Sequence, residues 1–160
     1  VTTEKRELGD GMVAGFIDGE LDAIRVTLPG TPPTQNERER WHWAERRRND
    51  QEWIRITSML FQQAVSRAGL TAGEPPFPWQ RVDIAFQVRF AHPGRRDVAN
   101  LIGGVKPLVD ALLPVKQCPM GVGIIRDDSY IYLDSVQMYV YRALVRAPET
   151  IMVVIRCRHD

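Results

Sequence analysis

Cysteine is scarce in this 160-residue chain: Cys118 and Cys157 stand 39 positions apart, with no CxxC and no paired histidines around them. That pattern supports neither a disulfide framework nor a zinc site, and a reducing cytoplasm is the expected setting. Long apolar runs are missing too. The longest, Ile151 to Ile155, is far below the roughly 20 residues that cross a bilayer, so no association with a membrane is expected. No basic-then-apolar leader opens the sequence, which leaves export unsupported. Lysine is also rare. Only Lys5, Lys106 and Lys116 are found among 21 basic residues, so most positive charge is guanidinium. Guanidinium suits two-pronged phosphate contacts, and it is equally what a GC-rich genome encodes.

What is present is ordinary for a globular chain. With 44% apolar and 26% charged residues, disordered and fibrous classes are excluded, and the length suits one core. The net charge of +1 hides an asymmetry, because residues 1–23 sum to −4 and the remainder to +5. Residues 1–20 mix acids with Gly9, Gly11, Gly15 and Gly19 and keep no sustained period. They are expected to form an acidic N-terminal arm, an irregular extension ahead of a domain over 21–160.

From Leu21 onward the periodicity sharpens. Ala23 to Leu28 alternates as a strand and stops at Pro29-Gly30 and Pro32-Pro33. Asn49 with Glu52 resembles a capping box, and Trp53, Ile56, Leu60, Ala64 and Ala68 then recur at helical spacing until Gly69. Val82 to Phe90 is the clearest strand, and Asp97 opens a second helical segment bearing Leu101, Val105, Leu108, Val109 and Leu112. Gly103, Gly104 and Pro107 interrupt that segment, which predicts a kink or a break with Pro107 in the first turn of the restarted helix. Tyr130 to Leu144 and Thr150 to Arg156 read as final strands. The order β-α-β-α-β-β predicts a single α+β domain: a small mixed sheet with helices on one face.

Three groups of residues have the makings of chemistry. Asp97 follows Arg95-Arg96, Lys106 and Asp110 lie one helical turn apart, and Asp127-Asp128 come shortly after. Carboxylates hold Mg²⁺, the metal activates water, and a nearby cation steadies the charge that develops on a phosphodiester. Each group also has a purely structural reading, as an N-cap, a helix ion pair and a turn. A further stretch, Asn36 to Asp50, interleaves Arg38, Arg40, Arg46, Arg47 and Arg48 with Trp41, His42 and Trp43. Such a loop can grip nucleic acid by phosphate pairing and stacking, or it is a solvated helix face laced with ion pairs.

Arg96-Asp97-Val98-Ala99-Asn100, then Lys106 to Leu112, then Asp127-Asp128-Ser129 resemble the RusA-like family of Holliday junction resolvases. That family is similar in its D-x-D-N block, its K-x-x-x-D-x-L helix and its later acidic pair. Leu28-Pro29, Pro32-Pro33 and Asn36 resemble its opening strand and Pro-Pro-x-x-Asn loop, and the likeness covers about residues 21 to 157. The resemblance implies a homodimeric, Mg²⁺- or Mn²⁺-dependent endodeoxyribonuclease of recombination and repair, often phage-encoded, acting on four-way DNA junctions. By the same resemblance Asp97, Lys106 and Asp128 are catalytic and Asn100 supports them; a metal site is expected from Asp97 and Asp128, with Asp127, Asp110 or bound water filling positions. Arg38, Arg40, Arg46, Arg47, Arg48, Arg95 and Arg96 then hold DNA. The chain departs from the pattern twice. Ala99 replaces the second acid of the first block, and five residues rather than two separate Asn100 from Lys106. The alternative expectation is therefore a non-catalytic junction-binding protein with a degraded metal site.

Overall fold

Asp10-Gly11 and Asp18-Gly19 all sit at positive φ, the conformation that a two-residue type I′ turn requires. These turns fold the start of the chain into an antiparallel meander of β1 (Thr3–Gly9), β2 (Met12–Ile17) and β3 (Glu20–Pro29). The computed structural model describes residues 1–91, 97–141 and 147–159. The irregular extension expected over residues 1–20 is thereby corrected. Its glycines are largely turn residues, and Met12, Ala14 and Phe16 alternate into the core.

The later strands are β4 (Val82–Arg89), β5 (Leu133–Tyr141) and β6 (Thr150–Cys157), and they complete one mixed sheet in the order β1-β2-β3-β6-β4-β5. β6 runs antiparallel to both β3 and β4, and β5 lies parallel to β4 at the edge. Register places Ile24, Ile155 and Ile84 in one row, Val26, Val153 and Phe86 in the next, and Leu28, Ile151 and Val88 in a third. All nine are buried. At about 1.5–3 kcal/mol for each large apolar side chain, these rows are the main cohesive element of the fold.

A long helix covers the rows. It is α2 (Trp43–Arg67), which presents Phe61, Ala64 and Val65 to the sheet and packs on β3. The architecture is the expected α+β domain with a mixed sheet. The start of α2 differs from the expectation: its N-cap is His42, not Asn49. Residues 43 to 50 are mostly Ala, Glu and Arg, good helix formers without Gly or Pro, so the helix runs straight through Asn49. The capping box belongs instead to α1 (Gln35–Glu39), where Thr34 and Glu37 exchange their bonds. Gly69 at φ +86° ends the long helix in the left-handed conformation.

The predicted break is present. α3 (Val98–Ile102), N-capped by Asp97, is followed by α4 (Lys106–Asp110) with Pro107 in its first turn. The intervening glycines have a packing reason. A Cβ on Gly104 would lie 2.2 Å from the Pro33 carbonyl oxygen, and one on Gly103 2.3 Å from Gln35 Oε1. The broken helix thus lies directly on the Pro-Pro loop. Gly104→Ala should lower stability by about 1–3 kcal/mol, because backbone and not a flexible side chain would have to move. Urea unfolding checks this, and an unchanged midpoint would mean that the two backbones are not tightly packed.

Candidate functional site

Lys106 opens α4, so its side chain reaches Asp110 one turn on while its ammonium still faces the turn at residues 127–128. Nζ donates to Asp110 Oδ1 and to Asp128 Oδ2, the latter at 2.7 Å. The turn is shaped by its own acids: the Asp128 N–H donates to Asp127 Oδ1 at 2.8 Å. Two of the three acidic groups nearby therefore share one cation. Burial works against the charge on Lys106, yet the two carboxylates outweigh it and raise its pKa. The Lys106 hydrogen bond holds Asp128 below the ordinary carboxylate range. Both groups are charged at neutral pH.

Asp97 and Asn100 take a different place. Asp97 accepts from the Asn100 N–H at 3.3 Å, and Asn100 Oδ1 accepts from the Asn36 N–H at 3.0 Å, tying α3 to α1. Both line a cavity of about 500 Å³ together with Thr31, Glu37, Phe90 and Glu149. Thr31 donates its hydroxyl to Glu149 Oε2 at 3.2 Å. Glu37 and Glu149 were not among the expected site residues. No local motif marks them; Glu149 arrives because Thr150 pairs with Pro29 at the end of β3. Ala99 is exposed on α3.

Of the two readings of the arginine-rich stretch, loop or helix face, the structure gives mainly helix. Arg46, Arg47 and Arg48 ride the first turns of α2, while Arg38 pairs with Asp50 at 2.6 Å. Arg38, Arg46, Arg47, Trp43 and Asp50 line a cleft of about 510 Å³ that also contains Asp110. Asp110 thus joins the lysine cluster to the guanidinium groups. Arg40 and Arg48 are exposed outside the cleft lining, and Arg95 and Arg96 lie outside the described residues.

Among the described residues, no three or more His, Cys, Asp or Glu side chains gather as a ready-made metal cage. The donors nonetheless suit a hydrated Mg²⁺, which takes oxygen ligands and commonly needs only one or two carboxylates. Asp97 and Asp128 are exposed, Asp127 partly so, and Asp128 is held ionised.

No protein-family model matches the chain, and no curated protein matches it. Among solved structures, a chain of the HypE-HypF complex is similar at 12% identity with a TM-score of 0.33. The match covers 92% of this chain and 36% of that one, so this chain spans about a third of the other's length. A likeness that faint carries no argument about fold or function.

The Lys106 cluster generates a pH prediction. A lowered carboxylate pKa stabilises the fold above the ordinary range, and that contribution is lost as pH falls through the folded value. In Lys106→Met the Asp128 carboxyl should therefore titrate nearer its ordinary value, and stability should fall less on acidification. Carboxyl-detected NMR titration measures both states. An unmoved Asp128 pKa would mean that the ion pair does not hold in solution.

Proposed function

We propose that the protein is a Mg²⁺-dependent, structure-selective endodeoxyribonuclease acting on four-way DNA junctions as a homodimer in the cytoplasm. The observation that carries this reading is the Lys106–Asp110–Asp128 cluster opening onto the cleft lined by Arg38, Trp43, Arg46 and Arg47. Carboxylates able to hold a metal, beside a lysine and a row of guanidiniums, are the residue types that metal-dependent phosphodiester cleavage requires.

The division of labour follows from the side chains. Arg46 and Arg47 pair with backbone phosphates, which position DNA without reading its bases. Lys106 exchanges a carboxylate for a non-bridging oxygen of the scissile phosphate and stabilises the charge that develops there. Asp128, with Asp127 beside it, would hold a hydrated Mg²⁺, whose chemistry when bound is water activation and polarisation of the phosphate, while Asp97 lies in the separate cavity with Asn100. Asp110 keeps Lys106 in place as the phosphate arrives. Asn100 positions α3 through Asn36. A junction has two equivalent strands to cut, so a two-fold dimer with one site per subunit matches its symmetry.

A second reading, a non-catalytic junction binder, is favoured by Ala99 and by the lack of a gathered carboxylate cage among the described residues. The two readings part on one variant. Asp128→Asn should lower nicking of a synthetic junction by about 10²-fold or more with junction affinity retained. Parallel loss of binding and cleavage, in a folded protein, would remove Asp128 from catalysis. Replacing Arg46, Arg47 and Arg48 with Gln should weaken binding at every DNA sequence. It should also flatten the salt dependence, by roughly one for each phosphate that is no longer paired. An unchanged salt slope would return this helix face to plain solvation.

A further inference from the structure

We infer that the sheet face turned away from α2 is a second nucleic-acid surface, built to take an unpaired single strand across β1 to β5. This surface goes beyond the junction-cutting role and uses none of its residues.

Because side chains alternate along a strand, the residues between the buried rows all project to the opposite face. There the register aligns Arg25, Val154, Ala85 and Gln137 in one row and Thr27, Met152, Gln87 and Tyr139 in the next. Gln137 and Tyr139 are exposed and the other residues of these rows half-buried. A trough of about 830 Å³ runs over the β1 side, lined by Lys5, Val13, Arg25 and Arg156, and a hollow of about 330 Å³ over the β5 side, lined by Gln137, Tyr139 and Tyr141. Gln87, Val154 and Arg156 line both, so the two are continuous. At about 4.8 Å per strand, six strands give this surface a width of roughly 24 Å.

Its chemistry points to an anionic, aromatic-bearing chain. Tyr139 and Tyr141 leave 47% and 49% of their surface exposed on an edge strand, where large rings gain nothing from contact with water. Glu4, Glu7 and Asp22 line the trough and Asp83 the hollow. Glu4 is paired with Arg6 at 2.6 Å, and Glu7 is exposed in the row of Val13 and Arg25. Asp83 accepts from Ser135 at 2.5 Å and faces Arg158 at 3.4 Å, while Asp22 meets His159 at 2.9 Å. Arg25 Nε is shielded from solvent with no hydrogen-bond partner among the described residues, Arg156 Nε stands 4.0 Å from Asp22, and Arg89 and Lys5 are exposed.

Guanidiniums beside stacking rings on an open sheet bind single strands, because unpaired bases expose the π-faces that a duplex hides.

Fluorescence anisotropy with the full chain and a labelled oligothymidylate of about 15 residues tests the inference, with a duplex of equal length as control. Tyr139→Ala/Tyr141→Ala should weaken oligothymidylate binding about tenfold or more and leave duplex affinity unchanged. Arg156→Gln should flatten the salt dependence of oligothymidylate binding. Absence of oligothymidylate binding by the unaltered chain, or equal loss toward both probes, overturns the inference. So does sedimentation showing that the tyrosine variants merely convert a dimer to a monomer, which would assign the face to a second copy.

Discussion

The close approach of Gly103 and Gly104 to Gln35 and Pro33 is the constraint on which the arrangement of candidate residues depends. Only a backbone without side chains lies this near another backbone, and it brings α3 and α4 onto the loop that follows β3. From that packing the rest follows. Asn100 reaches the first turn of α1, Asp97 turns toward the cavity shared with Glu149, and Lys106 starts a new helix within reach of both Asp110 and Asp128. A side chain at either glycine would run into Pro33 or Gln35. The break is therefore a device for assembling the site and not a defect in a helix.

Much of this was legible from residue order. The period-two run of β4, the break at Gly103-Gly104-Pro107 and the Lys106–Asp110 spacing each have a local cause, and local causes survive folding. Two Asp-Gly pairs near the start carried an equally local signal for hairpins, but the surrounding glycines and acids concealed it. The start of α2 was displaced because Asn49 and Glu52 imitate a cap in the middle of a strong helix-forming stretch. Other features were out of reach in principle. Glu149 joins the Asp97 cavity only because β6 pairs with β3, and Asp110 meets the arginines only because α4 packs against α2. Such neighbours belong to topology and leave no spacing in the chain.

Charge is distributed differently over the two proposed surfaces. On the helical side, a lysine is satisfied by two carboxylates, one of which lines the guanidinium cleft, and under the proposed function an incoming phosphate would compete with acids for cations. That competition favours a ligand offering several phosphates at once. On the open sheet face Asp22 and Asp83 are engaged by their neighbours, Glu7 is exposed, and arginine accompanies exposed tyrosine. The acids of residues 1–23 lie partly on the sheet face itself, where Glu4, Glu7 and Asp22 line the trough beside Lys5 and Arg25.

The most direct measurement is strand cleavage of a synthetic four-way junction by the unaltered chain, with linear duplex alongside and metal varied. Paired nicks at symmetry-related positions on the junction are expected in Mg²⁺, with little cutting of the duplex, and bound but uncut junction in Ca²⁺. Junction binding without cleavage at any Mg²⁺ or Mn²⁺ concentration would contradict a catalytic role for Lys106 and Asp128 and leave a binding protein in its place.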